Sequence, residues 1–278
     1  MAVLLALCSA LAYGLSDFVG GLLARRTSPW SVAIVGQSSS FLCVAVLALF
    51  VAGRPSAGDF GWAVLAGIGT GSGAGFLYRG LGAGRMAVVA PVSAVGAALV
   101  PVLVGALAGE RPSLVVWLGI AAALPGIWLV SSTPSMPGER GPVAAGLVDG
   151  VLAGIGFGVL FAALGQVPES AGWWPLTVTQ GTAVPTVVVL AMVLRTPWVP
   201  RGRSVRWAVL MGPLGAGATG FFLLAAQRGY LTVAGVISSL YPASTVLLAA
   251  LVLHERVHRT QGVGLGLCLV AIACVAGG

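Results

Sequence analysis

Charge is scarce in this chain. Of 278 residues only 8% are charged, 14 basic and 7 acidic, against 58% hydrophobic, and the mean hydropathy is +1.03. That composition is too apolar for a water-soluble domain of this length and places the chain in a bilayer. Long polar stretches are also missing. The longest break between apolar runs, 195–206, is a dozen residues, so no soluble domain fits between them. Histidine is nearly absent, and His254 and His258 share one loop. No aspartate pair has metal-binding spacing and no nucleophile has a base at a predictable distance, which argues against an intramembrane enzyme. The four cysteines, Cys8, Cys43, Cys268 and Cys274, lie inside apolar runs without paired or ligand spacing. They read as small packing residues, and no cofactor is called for. The net charge of +7 would suggest nucleic acid in a soluble protein, but here the arginines sit in the breaks between runs, where they act as topology signals.

What the sequence has in abundance is apolar runs of about 20 residues, each enough to span a hydrocarbon core of roughly 30 Å. Helices are the expected spanning element, since barrel strands would be near 10 residues long and would alternate polar with apolar. The spans fall near 2–24, 30–52, 60–81, 86–108, 114–131, 143–165, 174–194, 207–227, 231–253 and 261–277. The first is too long to be a removable signal peptide, and it lacks the basic start and small-residue cleavage site of one.

Two copies of one unit are visible. The stretch Trp62 to Ile127 reappears ungapped as Trp207 to Ile272, at an offset of 145 residues. Trp-Ala-Val-Leu recurs at both starts, and Glu110-Arg111 returns as Glu255-Arg256. Between these anchors Gly67, Gly75, Phe76, Gly84, Val88, Ser93, Ala98 and Leu103 each meet an identical residue, a register that scattered chance matches would not keep. A Ser/Pro/Gly linker at 132–141 separates a first unit, 1–131, from a second, 142–278, with five spans in each. An odd number of crossings forces the second unit to enter from the opposite side. The expected fold is therefore an all-α integral membrane protein of ten transmembrane helices in two inverted five-helix repeats. That is the architecture of alternating-access transporters, with substrate near the midplane between the halves.

Three segments carry a family resemblance: Ala12-Tyr13-Gly14-Leu15-Ser16-Asp17-Phe18, Met86-Ala87-Val88-Val89-Ala90-Pro91, and Ser238-Ser239-Leu240-Tyr241-Pro242 leading to His254-Glu255-Arg256. With the repeat and the ten short-looped spans, the chain resembles the ten-helix EamA family of the drug/metabolite transporter superfamily over nearly its whole length. The resemblance implies export of amino acids, other metabolites or xenobiotics, usually in exchange for protons. The expected location is the plasma (inner) membrane of a prokaryote, and the expected partners are a small-molecule substrate, protons and membrane lipids. A lipid or headgroup flippase or scramblase is the alternative, since it could use the same fold with a lateral opening.

Within the spans, Asp17 is the leading candidate, because a carboxylate at a helix centre costs on the order of 3 kcal/mol to insert. Arg79 is its expected partner. The first and third spans run in parallel, and counting from Arg25 and Arg85 puts the two at depths differing by about 3 Å. In the functional reading Asp17 carries a coupling proton or receives a substrate amine, and Arg79 serves as its counter-ion or binds a substrate carboxylate. In the plainer reading the two form a structural ion pair, or Arg79 snorkels to the interface. Asp149 is expected as a solvated carboxylate in the early turns of the sixth span, favoured by the helix dipole, or as a third member of the same cavity.

Neutral polar residues pair at helical spacing: Tyr13 with Asp17, Gln37 with Ser40, Thr177 with Gln180, and Ser238 with Tyr241. Gln37 and Gln180 come from the second span of each half and are expected on opposite walls of a central cavity, or as interhelical packing contacts. Pro242, beside Tyr241, is expected to free carbonyls toward that cavity. Glu110-Arg111 and Glu255-Arg256 read as clasps or gates at helix ends, each glutamate pairing with the arginine beside it. Counting arginines by break puts both termini outside, whereas the resemblance implies both inside.

Overall fold

In a computed structural model of the chain, residues 1–83, 86–131, 143–201, 204–252 and 258–277 are described. Ten of the helical segments are long and apolar enough to cross a membrane. The first repeat holds α1 (Ala2–Ala24), α2 (Pro29–Ala48), α3 (Ala57–Gly82), α4 (Met86–Leu107) and α5 (Leu114–Ser131). The second holds α6 (Val143–Leu164), α7 (Trp174–Val193), α8 (Met211–Ala226), α9 (Leu231–Ser238), α10 (Tyr241–Val252) and α11 (Arg259–Gly277). The linker expected at 132–141 lies outside the described residues, as do Glu255 and Arg256.

Local chemistry sets the helix ends. Pro29 occupies the first turn of α2, where its missing N–H costs nothing. At the start of α3, Ser56 N donates to Asp59 Oδ2 at 2.7 Å and Asp59 N donates to Ser56 Oγ at 3.2 Å, a reciprocal capping box. That cap starts the helix at Ala57, three residues before the apolar pattern alone suggests. The eighth span opens as a 3-10 turn over Ser204–Leu210 before becoming α8.

The ninth span departs from the single helix expected at 231–253. It is two helices, α9 and α10, separated at Ser239 and Leu240. Pro242 has no N–H to give Ser238 O, and its ring crowds that turn, so the ladder stops there. Turn bonds take over: Leu240 N donates to Ile237 O at 3.1 Å and Ala243 N to Leu240 O at 2.9 Å.

The two-fold relation between the repeats is visible in how helices pack. Helix α1 lies on α8 as α6 lies on α3, and α2 lies on α8 as α7 lies on α3. Helix α4 packs on α6 as the α9–α10 pair packs on α1. Helices α2 and α7, α4 and α9, and α5 and α11 each meet their own counterpart. Hence most of the core is contact between repeats.

Glycine makes the closest of these contacts possible. A Cβ on Gly156 of α6 would sit 2.5 Å from Gly73 N of α3, and one on Gly69 would sit 2.6 Å from Gly156 O. The two backbones therefore touch, as small-residue stripes in a membrane allow. Leu4, Leu11, Leu42, Phe50 and Leu107 point outward, where lipid replaces water.

Candidate functional site

Where the repeats meet, side chains from both enclose a small cavity of about 40 Å³. The first repeat supplies Tyr13, Ser16 and Asp17 from α1, Gln37 from α2, and Thr70, Ala74 and Tyr78 from α3. The second supplies Phe157 and Leu160 from α6, Gln180 from α7, and Gly215 and Thr219 from α8. The space holds about one water molecule and falls far short of the roughly 300 Å³ that a small-molecule site needs. The site is therefore too small for a substrate in this conformation.

Among the described residues, Asp17 is the one ionisable acid or base in that wall apart from the tyrosines. Tyr78 Oη donates to its Oδ1 at 3.2 Å. Tyr13, one helical turn before Asp17, packs edge-on to Phe161 at 5.7 Å between ring centroids, and its Oη has no hydrogen-bond partner. Gln180 is 1% exposed. Its Nε2 donates to Thr219 Oγ1 at 2.9 Å, while its Oε1 has no partner. Thr219 in turn donates to Gly215 O at 2.8 Å, and Thr70 to Ala66 O at 2.8 Å, so both hydroxyl protons are spent on their own helices. Gln37 and Gln180 line the same cavity from α2 and α7.

Arg79 does not pair with Asp17. Its Nε donates to Asp149 Oδ1 at 2.8 Å, and its Nη2 reaches the same oxygen. The guanidinium also lies over the Phe76 ring, 4.7 Å from the centroid. Depth along the membrane had made Asp17 the expected partner, but depth says nothing of azimuth. Adjacent residues on a helix point about 100° apart, so Tyr78 turns toward α1 while Arg79 turns toward α6. Asp149 is correspondingly no solvated carboxylate. It is 1% exposed, held between α6 and the glycine-rich face of α3.

Ser238 and Tyr241 straddle the break between α9 and α10, so the three-residue spacing that would put them on one continuous helical face does not apply. Both are buried. Tyr241 stands behind the cavity wall, its ring 6.3 Å from Tyr13 and 6.5 Å from Phe157. Pro242 acts by making that break.

Glu110 does not pair with the adjacent arginine as expected. Helix α4 ends at Leu107, the chain turns at Gly109, whose φ of +88° suits glycine, and Glu110 N donates back to Gly105 O at 3.0 Å. The reversal carries the carboxylate to the start of α9 in the other repeat. There Leu231 N donates to Oε1 at 2.5 Å and Thr232 N to Oε2 at 2.9 Å. An acid at a helix N-terminus satisfies free N–H groups and the positive dipole end together. Arg111 beside it is exposed. The opposite membrane face has its own contact between repeats, Ser28 Oγ to Pro197 O at 2.5 Å and Ser31 Oγ to Trp198 O at 3.1 Å.

Sequence reading passed over Tyr78, Thr219 and Phe157. Tyr78 was hidden beside its charged neighbour, although as one of 4 tyrosines in the chain its rarity was a usable signal. Nothing in the sequence distinguishes Phe157 or Thr219 from packing residues.

The model of the EamA-like transporter family matches residues 1–132 and 144–277. The chain belongs to that family, part of the drug/metabolite transporter superfamily of small-molecule carriers. No curated protein matches it. Among solved structures, one titled only "Crystal structure of protein" superimposes with a TM-score of 0.73 over 99% of this chain and 98% of its own, at 19% identity. That likeness is one of fold.

Proposed function

We propose that this member of the EamA-like transporter family is a secondary active carrier that exports a small metabolite in exchange for protons. The Asp17 cavity would open alternately to the two faces of a plasma membrane. The observation that supports this reading is the cavity itself: small, built from both repeats, and lined by a carboxylate with tyrosine, glutamine and threonine side chains beside it. Inverted repeats with a midplane site are the architecture of alternating access. An intramembrane carboxylate without a cation in its wall suits a group that gives up and regains a proton. Lipid headgroups are recognised by clusters of basic residues, and among the described lining residues the site offers a carboxylate and neutral polar groups instead, which favours a metabolite over a lipid.

In this reading residues 1–131 and 142–278 rock against each other, joined by the linker 132–141. Each face is sealed by a contact that one repeat makes on the other. On the face carrying both termini the seal is Glu110 on α9, and opening there begins when its carboxylate leaves the Leu231 and Thr232 amides. On the other face it is Ser28 and Ser31 on the Pro197 and Trp198 carbonyls.

The test is uptake of a mixed metabolite pool into proteoliposomes, with and without an imposed pH gradient, read by mass spectrometry against empty liposomes. Gradient-dependent accumulation of one compound class, abolished in Asp17→Asn, is the expected outcome. Undiminished gradient dependence in a correctly inserted Asp17→Asn would rule out Asp17 as the proton carrier. Folded protein that moves no metabolite but equilibrates labelled lipid between leaflets would replace the carrier reading with the flippase.

A further inference from the structure

The free hydrogen-bonding groups of the cavity describe its ligand. Asp17 is an acceptor with one oxygen engaged by Tyr78. Gln180 offers the cavity Oε1, an acceptor, because its Nε2 is committed to Thr219. The Thr70 and Thr219 protons are already given to Ala66 O and Gly215 O. Tyr13 Oη is free to give or accept, and the Gln37 amide can do either. The balance favours acceptors and includes one carboxyl group.

Among the described residues, none that lines the cavity is cationic. Arg79, the nearest cation in sequence, spends both Nε and Nη2 on Asp149. The wall also carries three aromatic rings, Tyr13, Tyr78 and Phe157, beside Ser16, Ala74, Leu160 and Gly215. Aromatic faces attract a cation through the ring quadrupole and also accept an apolar body. A ligand that satisfies this surface brings several N–H donors, a positive charge and hydrocarbon. A carboxylate on the same ligand would meet Asp17 with nothing to neutralise it.

We infer that the cavity, in a conformation where the repeats have moved apart and widened it, binds an organic amine in its ammonium form that lacks a carboxylate, its N–H groups on Asp17 and Gln180 and its hydrocarbon against Tyr13, Tyr78 and Phe157. This rests on the reading of the cavity as the substrate site. It narrows that reading by excluding zwitterionic amino acids, which the pairing of Arg79 with Asp149 leaves without a carboxylate receptor.

The test compares phenethylamine with L-phenylalanine, which differ by a single carboxylate, in calorimetric binding to the purified protein in detergent. Phenethylamine is expected to bind at least about tenfold tighter, as like-charge juxtaposition is costly. Its binding should vanish in Asp17→Asn and weaken about tenfold in Gln180→Leu, where one buried acceptor is lost. The wild-type comparison stands even where a variant misfolds. Equal or tighter binding of L-phenylalanine, or binding of neither, overturns the inference. The carrier reading fails separately. Phenethylamine that binds in detergent but is not driven into proteoliposomes by a pH gradient sinks proton-coupled transport and leaves the amine site intact. Gradient-driven movement of amino acids with no amine binding does the reverse.

Discussion

Asp17 and Asp149 each belong to the first helix of a repeat, yet the protein treats them in opposite ways. Asp149 is clasped by a guanidinium across the α3–α6 contact, where backbones touch through Gly73 and Gly156. Asp17 faces a cavity with one tyrosine hydroxyl on it and no cation in the wall. A charge that holds helices together is neutralised where the packing is tightest. A charge free to change its partner stands where packing leaves space. Insertion cost alone does not separate the two, because both acids are expensive in a membrane.

The sharpest way to break this contrast is to remove Arg79. Arg79→Met removes the guanidinium from the buried Asp149 carboxylate, and is expected to cost up to about 3–5 kcal/mol. A falling midpoint of thermal unfolding in detergent would report it, and Arg79→Met combined with Asp149→Leu should recover most of the loss. A single variant as stable as wild type would mean the pair does not hold α3 to α6. Asp17→Asn should move stability the other way or not at all, by up to about 3 kcal/mol of relieved insertion cost, while gradient-driven transport falls to the level of empty liposomes. A collapse in its unfolding midpoint would make Asp17 a structural residue like Asp149 and erase the comparison.

Smaller effects sharpen it. Tyr78→Phe deletes the hydroxyl on Asp17, and a hydrogen bond to a charged group is worth about 1.5–3 kcal/mol. At least about a tenfold change in the concentration for half-maximal transport is expected, with an unaltered unfolding midpoint. No change would show that Asp17 does not depend on that hydroxyl. Glu110→Gln keeps the shape of the α9 cap and removes its charge, a loss of about 1 kcal/mol. Accessibility of a cysteine placed at Leu231 to a membrane-impermeant thiol reagent should rise in that variant. Unchanged labelling would argue against Glu110 as a seal.

Much of the architecture was legible from residues alone, because apolar length, repeat register and the parity of five are one-dimensional properties. The error over Arg79 shows where such reading stops. Counting from Arg25 and Arg85 gave depth, but the partner was decided by azimuth around α3, which depends on which neighbour packs on which face. Asp149 looked solvated because its sequence position lay near a helix start, and only the α3–α6 contact buries it. Ser238 and Tyr241 were read across a helix break that the ring of Pro242 imposes. Gln37 and Gln180 both line the cavity, one from the second span of each half.

The sequence by itself determined that this chain crosses a membrane ten times in two related halves, because burying backbone in lipid demands helices of fixed length and duplication preserves register. It determined too that Asp17 needed explaining. Tertiary structure decided which carboxylate received Arg79 and which was left facing a cavity. It also sent Glu110 across to cap the other repeat. These choices depend on rotation about helix axes and on contacts between residues tens of positions apart, which are set only when both repeats pack together.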